Sequence, residues 1–246
     1  MEVAILTVGD EVLAGDTENT NATWLAGRLT DAGATVERIL TLPDDRDAIA
    51  AVVRGWRESF DAVVVTGGLG GTHDDVTATA VADAFGRGLT VDPAVREDVT
   101  ETAAAYRERS PDLVEAHDLD LDLDVDAWAA LPAGSRPLIN PEGLCPGCVV
   151  ENVYVFPGVP AEMRALFDLV AAEFGGDTVS RTLYTPQPEG SMIDVLAGVR
   201  DRFDVTVGSY PNTEGHNRLK LTGTDAEAVA AAVAWLRDRV DVVDAG

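Results

Sequence analysis

The segment DAVVVTGGLGGTHDD (61–75) constrains the fold more than any other stretch of the chain. Its valine run suits a strand buried on both faces, and four glycines, Gly67, Gly68, Gly70 and Gly71, follow almost at once. Glycines at a strand end let backbone N–H groups approach a ligand with no Cβ in the way. DDVTATAVADAFG then reads as a helix opening near Asp75–Val76, adding its positive N-terminal end. Strand, turn and helix together predict an anion site at the carboxyl end of a parallel sheet. It is not a Walker A loop, because no Lys–Ser/Thr follows, and it lacks the GxGxxG spacing.

The flanking segments supply that sheet. VAILTV (3–8) and ATVERILTL (34–42) read as strands. Between them Asn19–Thr20–Asn21 caps the helix ATWLAGRLTDAG, which stops at Gly33. DDRDAIAAVVRGWRESF is helical, with acids at its positive end. Residues 91–110 form a further helix starting near Pro93, and 151–175 a strand, a Pro/Gly turn and a long helix. After Gly175–Gly176 the pattern restarts as β-α-β-β-α, a small split-βαβ unit. The expected organisation is therefore an α/β domain over 1–175, with helices on both faces of a parallel sheet, and a small α+β domain over 176–246. The alternating Asp/Leu stretch at 112–126 is either an edge strand or, the preferred reading, an exposed acidic connector. It lacks the glycine turn of a calcium loop.

Composition narrows the partners. The 43 acidic and 18 basic residues give a net charge of −25, and Lys220 is the only lysine. Acids dispersed along the whole chain suggest adaptation to a cytoplasm of high salt, where screening weakens their mutual repulsion. No basic footprint for nucleic acid exists. No apolar run is long enough for a membrane span, and the start MEVAILTVGDEVLAG lacks the basic n-region of a signal peptide. A cytoplasmic protein is expected. The cysteines, Cys145 and Cys148, form one CPGC, too few for a disulfide scaffold or a complete zinc site.

Several acids accompany the glycine turn. Asp74 and Asp75 would repel a bare phosphate, and they make sense with a bridging divalent metal or as groups orienting a water. Helix capping explains one of them equally well. Asp10 and Glu11, in the GDE after the first strand, suit metal or ribose contacts, and Asp44–Asp45 follows the second strand. His73 is either a ligand, a base, a ribose contact or an exposed loop residue. Pro157–Gly158 forms a rigid turn before the last helix of the domain.

Four segments, in order, resemble CinA-type proteins. TVGDEVLAGDTENTN (7–21) is similar to their SVGDELLxGxxxNTN, and VTGGLGGTHDD to TGGLGPTxDD. NPEGLCPG (140–147) is similar to NPxGxAPG, and VFPGVPAEM (155–163) to FLPGVPxEM. The resemblance implies the three-layer molybdopterin-binding fold shared with MogA, MoaB and the molybdopterin-binding part of FAD synthases, followed by a small KH-like domain. It implies either metal-dependent hydrolysis of a nucleotide pyrophosphate such as ADP-ribose or FAD, or molybdopterin binding without hydrolysis; a nucleotide-sensing module is a third reading. Carried over, Gly67, Gly68, Leu69, Gly70, Gly71, Thr72 and His73 would hold phosphate, with Asn21, Pro157 and Gly158 on the ligand side. Asp74 and Asp75 would be catalytic. Asp10, Glu11, Asp44 and Asp75 would hold Mg²⁺ or another divalent cation. Relatives of this fold assemble into dimers or trimers, so a homo-oligomer is expected. Gly71 departs from the family proline, and Cys145 from its alanine. The end at residue 246 leaves no room for the amidase domain of longer CinA proteins, so nicotinamide-nucleotide deamidation is not expected.

Overall fold

The computed structural model of the protein describes residues 1–70, 75–109, 124–211 and 216–243. The chain divides into two compact units, one of residues 1–27 with 36–173 and one of 28–35 with 174–246. Most of the alternating Asp/Leu stretch lies outside the described residues.

In chain order residues 1–84 form β1 (Glu2–Val8), α1 (Asp10–Ala14), α2 (Thr20–Asp31), β2 (Thr35–Leu42), α3 (Arg46–Ser59), β3 (Ala62–Thr66) and α4 (Thr77–Ala84). β4 (Leu89–Val91), α5 (Pro93–Arg109), α6 (Val125–Trp128) and β5 (Ala130–Pro132) follow, and then β6 (Arg136–Leu138), β7 (Gly147–Val150), β8 (Val153–Phe156) and α7 (Pro160–Val170). Six strands make one sheet in the order β2-β1-β3-β8-β7-β6. β1 and β8 both run parallel to β3, with Ile5 opposite Val64 and Val64 opposite Tyr154. The sheet is mixed, because β7 runs antiparallel to both β8 and β6. β4 and β5 form a separate two-stranded ribbon.

Side-chain alternation explains the three layers. Leu6, Val8, Val63, Val65, Val153 and Val155 point to one face and pack with Ile49 and Val53 of α3 and Ala80 and Val81 of α4. On the other face Phe167 of α7 meets Phe156 edge-on at 6.3 Å between ring centroids and Trp24 of α2 at 5.4 Å. β1, β3 and β8 are buried almost throughout, which is why their sequences read as unbroken apolar runs. Each fully buried Val, Leu or Phe side chain contributes about 1.5–3 kcal/mol.

The smaller unit holds β9 (Val179–Thr185), α8 (Ile193–Arg202), β10 (Thr206–Pro211), β11 (Asn217–Gly223) and α9 (Ala226–Arg237). Its antiparallel sheet has the order β10-β11-β9. Leu183, Val207, Leu219 and Leu221 pack with Val199 of α8 and Val229, Ala232 and Leu236 of α9 in a core of its own. No helix among the described residues is long and apolar enough to cross a membrane.

Candidate functional site

The ends of β1, β3 and β8 lie side by side, and short contacts lock their loops together. Gly67 donates its N–H to the Phe156 carbonyl at 3.1 Å, and Gly9 donates to Leu42 at 3.1 Å. Gly67 has φ +99° and Gly68 φ +59°, in the region that favours glycine. A Cβ at Gly67 would overlap the Val8 carbonyl oxygen, and a Cβ on Gly158 would sit 3.4 Å from the Gly67 Cα. At Gly68 a Cβ would strike the Thr77 hydroxyl and lie 2.9 Å from Asp44 Oδ1. The glycines therefore let three strand-end loops and the start of α4 converge.

The acids take distinct places. Asp75 has its carboxylate against Gly70, where a Cβ would collide with it. α4 opens at Thr77, and its N-cap residue, Val76, makes no side-chain cap hydrogen bond. Thr77 instead donates its backbone N–H to Gly68 O at 3.0 Å. Asp44 Oδ2 accepts the Asp10 N–H at 3.1 Å, tying β2 to β1. Asp10 and Glu11 begin the five-residue α1 and are exposed. Among the described residues no three His, Cys, Asp or Glu side chains stand close enough to hold a metal ion together. Gly71, Thr72, His73 and Asp74 lie outside the described residues.

Two buried polar atoms beside the turn have no hydrogen-bond partner among the described residues: the Thr77 hydroxyl and Asn21 Oδ1. Asn21 is 9% exposed and Thr77 fully buried. Asn21 Nδ2 donates to Gly158 O at 2.7 Å and to Thr66 Oγ1 at 3.4 Å, while Thr66 Oγ1 donates to Pro157 O at 2.9 Å. Its neighbour Asn19 caps α2 by accepting the Ala22 N–H at 3.1 Å. A cavity of about 90 Å³ opens here, bounded by Thr7, Glu11, Glu18, Asn21, Thr66 and Gly67. A second cavity, about 220 Å³, adjoins Leu69, Gly70, Asp75, Trp128, Leu131 and Cys145.

The third and fourth motifs are knitted into one support. Asn140 Nδ2 donates to Cys145 O at 2.7 Å and to Glu162 Oε2 at 2.8 Å. Burial raises the Glu162 carboxyl above the usual range, outweighing these partners, which pull it down. Gly143 lies against the Glu162 carboxylate, which a Cβ there would displace. The Cys145 thiol donates to Leu69 O at 3.3 Å, bracing the glycine turn. Burial pushes the Cys148 thiol up to about 12. It pushes Cys145 further still, with the Glu162 and Asp75 carboxylates adding to the effect. Both thiols are free and buried, which describes packing and bracing groups. Thr66, Asn140 and Glu162 lie within motifs readable in the sequence, which gave them no individual role; Thr77 was not singled out. A threonine in the first turn of the helix after the glycines was the only readable signal for Thr77.

Residues 4–175 match the family model described as "Probable molybdopterin binding domain", and 177–244 match "FAD synthase, middle domain". A protein of Archaeoglobus fulgidus is 40% identical over 95% of both chains. A CinA-like protein of Salinibacter ruber is 35% identical over the whole of this chain, which spans 58% of that relative's length. The crystal structure of the protein CinA, of unknown function, from Thermoplasma acidophilum superposes with a TM-score of 0.59 at 33% identity. That match covers 70% of this chain and 97% of the other.

Proposed function

This chain belongs to the molybdopterin-binding domain family and is CinA-like, and from that premise we propose that it is a nucleotide pyrophosphatase using a divalent cation. The substrate class is a dinucleotide such as ADP-ribose or FAD. The observation that carries the reading is the convergence on one glycine turn of two carboxylates, Asp44 and Asp75, and a buried Thr77 hydroxyl with no hydrogen-bond partner among the described residues. The match of the second unit to a FAD synthase middle domain supports a dinucleotide.

The chain's own groups divide the work. The Gly67 N–H is spent on Phe156 O, so backbone N–H groups from Gly68 onward and the Thr77 hydroxyl would donate to phosphate oxygens, in a site whose glycines leave no Cβ between backbone and ligand. Asp75, beside Gly70, orients a water for attack on one phosphorus and takes its proton. As the new P–O bond forms, the bridging P–O bond breaks, and the bridging oxygen leaves on the second phosphate. The donor set fits a cation shared with the substrate and not an all-protein cage: Mg²⁺ is commonly held by one or two carboxylates plus substrate phosphates. Asp44 and Asp75 would hold it, with Asp74 as the sequence-level candidate for a third. When bound, the cation neutralises the diphosphate and acidifies water.

The test is AMP release from ADP-ribose and FAD in high salt, with Mg²⁺ and with EDTA. Metal-dependent AMP release is expected, and no AMP from any dinucleotide would overturn the proposal. The lack of a three-ligand cluster among the described residues favours one second reading, a molybdopterin-binding protein that holds its ligand without cutting it. That reading expects a pterin to co-purify and binding to survive Asp74→Asn.

A further inference from the structure

Three successive residues of the glycine turn are tethered, and the tethers differ in kind. Gly67 donates its N–H to Phe156 O, and Gly68 O accepts the Thr77 N–H, both from backbone to backbone. Leu69 O is held by a side chain, the Cys145 thiol at 3.3 Å. A trans peptide points its C=O and its N–H in opposite directions. The thiol therefore fixes the direction of the Gly70 N–H, one of the amides assigned to phosphate above. The Asp75 carboxylate lies against the same Gly70.

The side-chain tether depends on what holds Cys145. Asn140 is buried and spends its NH₂ on Cys145 O at 2.7 Å and Glu162 Oε2 at 2.8 Å, while its Oδ1 accepts the Glu142 N–H at 3.0 Å. Glu162 also accepts a hydrogen bond from the Cys145 backbone. Both the C=O and the N–H of Cys145 are thus held by this pair, which sets where its thiol stands. Burial keeps that thiol protonated and hence a donor. We infer that Glu162 is a positioning residue for the phosphate turn: with Asn140 it holds Cys145, and through the Cys145 thiol it sets the Leu69–Gly70 peptide. Leu69, Gly70, Asp75 and Cys145 all border the cavity of about 220 Å³, so a shift of that peptide moves the wall beside Asp75. This inference rests on the nucleotide reading above, but concerns the geometry of the turn and not the identity of the substrate.

The test reads the amide nitrogen resonance of Gly70 in the ligand-free chain, which senses the hydrogen bond on the preceding carbonyl, and AMP release at saturating Mg²⁺ and ADP-ribose. Cys145→Ala and Glu162→Ala are each expected to move the resonance and to slow AMP release by up to about 10-fold, the scale of one hydrogen bond. Cys145→Ser, which keeps a donor, is expected to recover most of both changes. In the double variant Glu162→Ala should add nothing to Cys145→Ala, because the two act in series. Should Glu162→Ala not fold, Gly143→Ala, whose Cβ displaces the same carboxylate, is expected to move the resonance the same way. An unmoved Gly70 resonance or wild-type AMP release in Cys145→Ala, additive effects in the double variant, or a serine variant as slow as the alanine one would each overturn the inference. A wild-type chain that releases no AMP from any dinucleotide defeats the pyrophosphatase proposal alone, and the resonance still decides this one.

Discussion

Replacing Gly67 by alanine separates two costs that the strand-end turn combines. The residue sits at φ +99°, and the new Cβ would overlap the Val8 carbonyl oxygen at the end of β1. Left-handed backbone costs a non-glycine residue about 1–2 kcal/mol. Forcing a methyl group into packed backbone adds about 1–3 kcal/mol. The sum is about 3 kcal/mol, which in a chain of this size lowers the melting temperature by about 6–12 °C. Gly86 is the internal control: it has φ +62° at the end of α4, but a Cβ there meets nothing within 4 Å. Gly86→Ala should therefore show the strain alone, about 1–2 kcal/mol. Urea or thermal unfolding of both variants measures the difference. Equal destabilisation of the two would refute the claim that close approach of β1 and β3, and not φ alone, dictates glycine at 67.

Three further outcomes follow from the same packing. Cys145 and Cys148 should resist alkylation in the native state at mildly alkaline pH and react together on unfolding, because burial holds both thiols protonated; rapid native labelling followed by mass spectrometry would contradict this. Glu162 has a folded carboxyl raised above its unfolded value, so its stabilising contribution is complete below the usual carboxylate range and is lost as pH rises through the raised value. Glu162→Gln should remove that segment of the pH–stability curve in urea titrations, and an unchanged curve would count against it. With a net charge of −25, the unfolding midpoint should rise as KCl is added, and a midpoint indifferent to salt would remove the case for high-salt adaptation.

How far the sequence reveals this molecule depends on how local each signal is. β1, β3 and β8 were legible because burial on both faces leaves runs dominated by valine and other apolar residues. β9, β10, β11 and their two helices were legible for a similar reason, each element carrying its own periodicity. The β6–β7 edge was not. Its two strands have three and four residues, and the β7–β8 hairpin turns on Glu151–Asn152 without glycine. Glu151 takes φ +54° there. Asn152 holds the turn by donating at 3.0 Å to Arg57 O and to Phe60 O, partners more than ninety residues away in sequence. A turn stabilised from that distance leaves no local mark.

The candidate site divides the same way. The glycines announced a turn with close backbone approach, and the acids around it were visible as residue types. Their assignments were not. Asp44 is engaged with the Asp10 amide, and Asp75 packs against Gly70 where a cap for α4 was one reading. That the Thr77 hydroxyl and Asn21 Oδ1 have no hydrogen-bond partner among the described residues emerges only in three dimensions. The Asn140–Glu162–Cys145 support joins two motifs that the sequence separates by a β-hairpin.

The most direct test of the central claim is single-turnover AMP release from ADP-ribose by the wild-type chain and by Asp75→Asn, with ligand binding measured in parallel. If Asp75 activates the attacking water, the variant should lose at least about 100-fold in rate, the lower bound for a positioned general base. Assays at saturating Mg²⁺ and ADP-ribose keep any weakening of cation or substrate binding out of the measured rate. A variant that releases AMP at the wild-type rate, or a wild-type chain that binds ADP-ribose and releases none, would contradict the account.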